Sequence, residues 1–595
     1  TFRAEKSKTR RHLTEFWMIE PEMAYCDLQQ DMIVAEQLVY YVVRQIITNR
    51  SDELQLLGRD ISRLEKIALP FPRLSYEDAV KKLQQLGSDI KWGSDLGGDD
   101  ETTLTKEYET PILVHRYPKD VKAFYMKGDP EDSRLALCVD MLAPEGYGEI
   151  IGGGQREDNY CVLEEKIIKH NNKIFDKKDK NTKNIFLLEF NGWHGLHIAN
   201  SYLINSLSDI KDCKIVAYES YRLFQKKPNF FLQNLKWKIG SSLKLKTFKI
   251  YESFGTDEFM YTKNNFLNSK KAKQITEHFF SKLRDKKDVE RFSVKGVWIG
   301  DLIYDSYLKL YDLPTIDLES PKFKVFFENS ISLFLFWFDY FKKKNVKGIA
   351  SSHGVYLNAI PLRIALKFKI LTLVCSDNKL FKLNNKIYSS KYKTTGVELQ
   401  HKYFKKLFNG LTNQEKTKAY KKGEKFLRGI LQEKKNYFYF PKKKTKIKPF
   451  SFKKNNLPKI VIFAHSFTDS PHLRGNSLFP DFYEWLNFLA KIAKKTEYDW
   501  YIKPHPNYSL KENKFINQFV KKNPIIKKLS PYTRNIDMIN KGLNFALTVY
   551  GSCAAELPYY GIKVVNACKN NPHSDYKFSI TPNSISKLEK VIKDK

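Results

Sequence analysis

Two sets of residues in this chain have types and spacings that could do chemistry. The first begins at its start, where Arg3, Glu5, His12 and Phe16 lie in TFRAEKSKTRRHLTEFWMIEPEMAY, two apolar stretches joined by an Arg-rich turn. A guanidinium presents paired donors in a fixed plane, which suits the oxygens of a triphosphate. An aromatic at the return, Phe16, can lie against an adenine face. Asp140 and Glu149 follow within DMLAPEGYGEIIGGGQRE. Gly152, Gly153 and Gly154 admit close approach of backbone to a ligand, and Arg156 stands just after them. The second set lies near the other end: Lys503-Pro504-His505-Pro506, then Gly551-Ser552 and Glu556, with His465-Ser466-Phe467-Thr468 ahead of both. Lys503 offers a point charge and His505 a switchable donor, a pair suited to a phosphate-bearing leaving group. Gly551-Ser552 opening a helix would aim backbone N–H groups and a hydroxyl at an anion. Glu556, one turn on, would accept from a sugar or ribose hydroxyl. The plain alternatives are a rigid loop with a satisfied histidine and a carboxylate that serves only the helix dipole.

The elements that must position these residues differ between the two ends. Residues 1–165 carry 21 Lys+Arg against 31 Asp+Glu, whereas the remainder carries 81 against 36, so the whole net charge of +35 comes from the later part. The change reads as two unrelated proteins joined end to end, the first of them truncated, by fusion or by the joining of reads from different genomes. Excess Lys there is either a compositional bias or an attraction to anionic partners such as nucleic acid, sugar nucleotides or the inner membrane face. Seven cysteines with no C-x-x-C pair argue against a zinc site or a disulfide framework and fit a cytoplasmic setting. The best apolar run, ISLFLFWFDYF at 331–341, falls short of the roughly 18 residues a membrane span needs and predicts a buried helix.

In the first part, residues 2–5 and 15–20 read as two strands around a basic loop. Residues 162–184 are Lys/Asn-rich and read as a junction. After it, NIFLLEF at 184–190, a Gly-containing turn and a helix form a βα unit, and KIVAYES at 214–220, SVKGVWIGDLIYDSYLKLY at 293–311, VKGIASSHGVYLNAIPLRIALKF at 346–368 and KILTLVCS at 369–376 continue the alternation. A basic stretch at 438–459 separates a second set with strands at 459–466, 499–507 and 543–567. The predicted architecture is α/β, an antiparallel-sheet fragment at 1–165 followed by two Rossmann-like lobes at 180–435 and 457–595 that share a cleft.

The opening string resembles motif 2 of class II aminoacyl-tRNA synthetases, and specifically the asparaginyl-tRNA synthetase branch. Residues 117–127, YPKDVKAFYMK, resemble that family's amino-acid-pocket strand, and 140–157 its metal-carboxylate strand and Gly run. The resemblance implies that Arg3 holds the α-phosphate of ATP, that Glu5, His12 and Phe16 border amino acid and adenine, that Asp140 and Glu149 bind Mg²⁺, and that Arg156 faces the substrate side chain. tRNA is the partner this implies. Nothing after residue 165 resembles the family's Gly-rich motif 3, so the segment is expected to keep the shape of an adenylation site without charging tRNA. K-P-H-P followed by G-S-x-x-x-E-L-P-Y-Y-G, over 459–570, resembles the capsule and surface-polysaccharide biosynthesis family of GT-B glycosyltransferases. That implies a nucleotide sugar as donor, a glycan acceptor and an acceptor-side base in the first lobe. Candidates for the base are His353 foremost, then His194, His197, Asp301 and Asp305. No D-x-D signature stands out, so metal-independent transfer is expected. Asparagine–tRNA ligation, and a non-catalytic carbohydrate- or nucleic-acid-binding protein, are the competing readings.

Overall fold

The computed structural model describes residues 2–4, 15–175, 182–191, 194–219, 230–261, 270–376, 379–383, 401–431, 450–571 and 576–594. The chain divides into two compact units, Thr1–Asp176 and Lys177–Lys595.

In the first unit β1 (Phe2–Ala4) and β2 (Glu15–Trp17) pair antiparallel, with Arg3 opposite Phe16. A four-stranded sheet follows in the order β3 (Arg73–Ser75), β4 (Ile112–His115), β5 (Cys138–Ala143), β6 (Gly148–Gly154). Only β3 and β4 run parallel. The period of two sorts the side chains between two cores. Ile112 and Val114 pack with Tyr76, Val80 and Leu83, whereas Leu113, Val139 and Met141 pack with Leu28, Met32 and Phe71. Asp27 starts the helix Leu28–Asn49 by accepting from Gln30 N.

Two expectations fail in this unit. Residues 117–127 are not a strand: Arg116 is left-handed (φ 61°) and Pro118 has no N–H, so the chain leaves the sheet and makes one 3-10 turn at Lys119–Val121. The supposed junction at 162–184 is helical as far as Ile174. Asn159 accepts from Cys161 N and Val162 N to start a helix, Tyr160–Ile174, inside the first unit.

The second unit holds two doubly wound sheets. The strands of the first are β7 (Asn184–Phe190), β8 (Lys214–Glu219) and β9 (Glu258–Met260), then, past a separate hairpin β10 (Ser293–Val294) and β11 (Val297–Trp298), β12 (Asn345–Ser351), β13 (Leu371–Ser376) and β14 (Lys379–Lys382). Residues 293–298, expected as a sheet strand, therefore form a two-stranded turn, because Lys295 and Gly296 both sit at positive φ and fold the chain back. The sheet order is β14-β13-β12-β7-β8-β9, parallel except for β14. A Cβ on Gly348 of β12 would stand 2.4 Å from the Phe186 ring on β7, so that contact excludes any side chain. The helix Pro321–Lys343 lies buried, with Phe323, Phe327, Ile331 and Phe334 in the core. Among the described residues no helix is long and apolar enough to cross a membrane.

The second sheet has β15 (Lys459–Phe463), β16 (Asp499–Lys503), β17 (Ile526–Lys528), β18 (Phe545–Thr548) and β19 (Lys563–Asn566), all parallel, in the order β17-β16-β15-β18-β19. Each sheet thus reverses strand order once, between β7 and β12 and between β15 and β18. In open α/β sheets ligands bind outside the carboxyl ends at such switch points. The basic stretch expected to divide the lobes lies outside the described residues up to 449. Its end packs on the second lobe, Phe452 against Tyr501 at 4.8 Å.

Candidate functional site

At the second switch point, β15 delivers His465 and β18 delivers Gly551-Ser552. His465 is packed against aromatic rings. Its ring stacks on Phe482 at 4.7 Å and meets Tyr550 at 4.8 Å. Nε2 accepts from Val549 N at 3.2 Å and lies 3.0 Å from Thr548 Oγ1, which accepts from Gly551 N. Burial, then the charges of His505 and Arg474, lowers its pKa to about 3. His465 is a neutral brace for the turn that presents Ser552, which is itself exposed. The helix after Ser552 is shorter than expected: one turn, Cys553–Glu556, then a 3-10 turn Leu557–Tyr560. Pro558 lacks an N–H, and Gly561 closes the turn at φ 78°.

Lys503 ends β16. Its Nζ donates to Asn535 Oδ1 at 3.1 Å, and Asn535 Nδ2 donates to Glu556 Oε2 at 3.0 Å. Lys503 and Glu556 are therefore joined beyond the carboxyl ends of β16 and β18, with an asparagine between lysine and glutamate. His505, two residues on, has its pKa lowered by burial, against the pull of Asp469 and Glu512. Asn507 N donates to its Nδ1 at 3.2 Å, so Nε2 carries the hydrogen. His505 is a neutral donor, and positive charge at this corner rests on Lys503.

At the first switch point, β7 ends near Glu189 and Asn191, and β12 leads into Ser352 and His353. Buried Glu189 accepts through Oε2 from Ser351 Oγ (2.8 Å), Ser352 N (2.6 Å) and Ser352 Oγ (2.7 Å), and through Oε1 from Asn358 Nδ2 (3.3 Å). His353 is exposed, with Nδ1 2.8 Å from Ser352 Oγ. Tyr356 Oη donates to Thr468 O at 3.2 Å, joining the loop after β12 to the loop after β15.

The remaining base candidates are placed as follows. Asp301 forms a buried bidentate pair with Arg363, both bonds 2.5 Å. Asp305 binds His472 Nδ1 at 2.5 Å and accepts from His472 N at 3.2 Å. Both carboxylates are spent on packing, since a buried charge needs its partner. The side chains of His194 and His197 lie outside the described residues. His472 crosses from one lobe to the other, and so does Asp481, whose Oδ2 accepts from Tyr304 Oη and Thr315 Oγ1 at 2.5 Å each. Burial alone would lower the His472 pKa. Asp305, with Glu290 and Asp301 behind it, outweighs that and raises it to about 9, which makes it an imidazolium.

In the first unit Asp140 and Glu149 converge over Gly152. A Cβ there would stand 2.4 Å from Glu149 Oε1 and 3.4 Å from Asp140 Oδ1. Burial first, then the Asp140 charge, raises the pKa of Glu149. A pair of acids held together this way fits a hard divalent cation, which would relieve their repulsion. Lys122 Nζ donates to Asp140 Oδ2 at 2.6 Å and lies 3.9 Å from the Tyr117 ring centre. Arg156 is half-exposed, pairs with Glu22 at 3.2 Å and stacks over Tyr125 at 4.6 Å. Arg3 and Phe16 are cross-strand neighbours by backbone register, and Glu5 and His12 lie outside the described residues.

Sequence reading missed Asn535, Glu189, Ser352, His472 and Lys122. Asn535 lies 32 residues from its lysine and 21 from its glutamate, and no local pattern marks it. Ser351-Ser352-His353 directly after a strand was the one signal available.

Residues 1–193 match the family model of class II tRNA synthetases (D, K and N). The asparagine–tRNA ligase of Desulforamulus reducens is 55% identical over 170 residues, 29% of this chain and 40% of the ligase. That of Thermococcus kodakarensis is 53% identical over 177 residues, 30% of this chain and 41% of the ligase. The chain thus spans about 40% of the length of the curated relatives it matches. Among solved structures, the asparaginyl-tRNA synthetase of Pyrococcus horikoshii complexed with asparaginyl-adenylate is 49% identical, covering 29% of this chain and 40% of its own, with a TM-score of 0.28. The UDP-GlcNAc 2-epimerase of Neisseria meningitidis bound to UDP-GlcNAc covers 69% of this chain and 91% of its own at 11% identity, with a TM-score of 0.18.

Proposed function

We propose that residues 180–595 are a glycosyltransferase that takes a nucleotide-activated sugar, in capsule or surface-polysaccharide synthesis. The observation that carries this is the Lys503–Asn535–Glu556 network beside the β15/β18 switch point. Lys503 balances the negative charge that builds on a departing nucleotide, and His505 donates to it through Nε2–H. The Ser552 hydroxyl and Glu556 orient the nucleotide sugar. His353, on the facing lobe, takes the proton of the acceptor hydroxyl. The basic surface of this unit suits a glycan made at the inner membrane face. The test is turnover of a panel of nucleotide sugars, with products separated by chromatography. Lys503→Ala should lower kcat/KM by about 10²-fold or more. A panel in which no donor is consumed, or one in which the variant matches the parent, overturns the reading.

A second reading, favoured by the identity of the first part to asparagine–tRNA ligases, is ATP-dependent ligation of asparagine to tRNA by residues 1–165. In it Arg3, Glu5, His12, Phe16 and Arg156 border ATP and the amino acid. Asp140 and Glu149 hold Mg²⁺, which would neutralise phosphate charge. The expectation is that the segment does not complete this reaction. Asparagine-dependent ATP–pyrophosphate exchange at an ordinary rate would overturn that expectation and favour the ligase.

A further inference from the structure

The switch point of the first lobe holds a buried carboxylate that the proposed chemistry has not used. Glu189 stands at the carboxyl end of β7, almost wholly enclosed, and among the described residues the donors to its carboxylate come from the segment that carries His353. The arrangement dictates where hydrogens sit. An ionised carboxylate only accepts, so the Ser352 hydroxyl spends its one hydrogen on Glu189 Oε2. Asn191 Nδ2 also donates to Ser352 Oγ, at 3.3 Å. Ser352 Oγ therefore has no hydrogen left for its second neighbour, His353 Nδ1 at 2.8 Å. The hydrogen in that contact must belong to the imidazole.

We infer that Glu189 and Ser352 are positioning residues that hold neutral His353 in the Nδ1–H tautomer, with the lone pair on Nε2. This rests on the reading of His353 as the acceptor-side base and says what makes it one. A base must present a lone pair to the proton it takes. Nε2 is the nitrogen farther from the backbone, the one that can reach a substrate. In the transfer step the acceptor oxygen bonds to the anomeric carbon and its proton passes to Nε2. The bond from sugar to phosphate breaks, and its electron pair leaves with the nucleotide. The resulting imidazolium keeps its Nδ1–H bond to Ser352, and the Glu189 charge behind that hydroxyl stabilises it. Leucine at 189 removes the acceptor. The Ser352 hydroxyl can then turn its hydrogen to His353 Nδ1, which leaves Nε2 protonated.

The tautomer can be read without any substrate. The full chain labelled with ¹⁵N-histidine, with the His353 resonances assigned by His353→Gln, is examined by long-range ¹H–¹⁵N correlation at a pH where the ring is neutral. The expected pattern is Nδ1–H in the parent and Nε2–H in Glu189→Leu, with Ser352→Thr retaining the parent pattern and Ser352→Ala giving a mixture. A parent ring in the Nε2–H form, or one unchanged in Glu189→Leu, overturns the inference. With a donor and acceptor pair in hand, Glu189→Leu should lower kcat by about 10²-fold with KM within about twofold, and Ser352→Thr should keep most of the activity. Equal loss in Ser352→Thr and Ser352→Ala overturns the positioning role. If no nucleotide sugar is turned over while the tautomer pattern holds, the glycosyltransferase reading falls and the hydrogen-bond assignment stands. Should Glu189→Leu fail to fold, Ser352→Ala and Ser352→Thr carry the test alone.

Discussion

His465 and His472 stand seven positions apart on the loop after β15, and both are packed into protein, yet they carry opposite charge states. What differs is what each ring nitrogen meets. His465 Nε2 meets backbone N–H groups, which can be satisfied only by a lone pair, and a hydroxyl that can donate to it, so burial goes unopposed and the ring stays neutral. His472 meets Asp305 and, 4.0 Å away, Glu290, and their charges outweigh the same burial. Enclosure sets the size of the stake, and the partners decide the sign. The two rings also serve different ends: His465 braces a turn of the candidate site, whereas His472 ties the second lobe to the first.

The largest break in this comparison is His472→Leu, which strands the buried Asp305 carboxylate, whereas Glu290 keeps Lys287. It should cost about 3–5 kcal/mol in urea unfolding. Replacing His472 together with Asp305 by apolar residues should recover a large part of that. His465→Leu removes the acceptor for Val549 N and Tyr550 N and should cost about 1–3 kcal/mol. It should also disturb the Ser552 turn, which nucleotide affinity would register. The pH dependence separates the two by sign. The folded-state pKa of His472 is raised, so its contribution is whole below about pH 6.5 and is lost as pH rises through about 9. That of His465 is lowered, so its contribution is whole above about pH 6.5 and is lost as pH falls towards about 3. Unfolding curves of His472→Leu and His465→Leu against pH should each lose one flank of the parent profile. The smallest effect is expected at His505: His505→Asn keeps a donor near the leaving group and should lower kcat/KM by about tenfold or less.

Much of the fold was legible. Strand–helix alternation across 184–376 and 459–567 marked two doubly wound sheets because buried parallel strands are continuous apolar runs of short length. The errors fell where one backbone residue overrode the pattern. Arg116 and Pro118 turned an apparent strand out of the first sheet, and Lys295-Gly296 made a hairpin of what looked like a βα unit. The candidate site was legible in its charged and Gly-flanked members, Lys503, Ser552 and Glu556, because each lies at or soon after the end of a strand. It was not legible in Asn535, which begins a helix of its own and joins the others only through space.

Residue type and local spacing by themselves determined that the chain has an acidic part and a basic part, that the first carries a phosphate-suited arginine hairpin and paired acids, and that the second alternates strands with helices around a K-P-H-P turn. Those are properties of neighbours along the chain. Only the tertiary structure decided which histidine is charged, which acids are spent on packing, and which nitrogen of His353 keeps its hydrogen. Each of these depends on the group that happens to lie across a hydrogen bond, and that group can be adjacent or far along the chain: Ser352 borders His353, but Glu189 reaches Ser352 from 163 positions earlier.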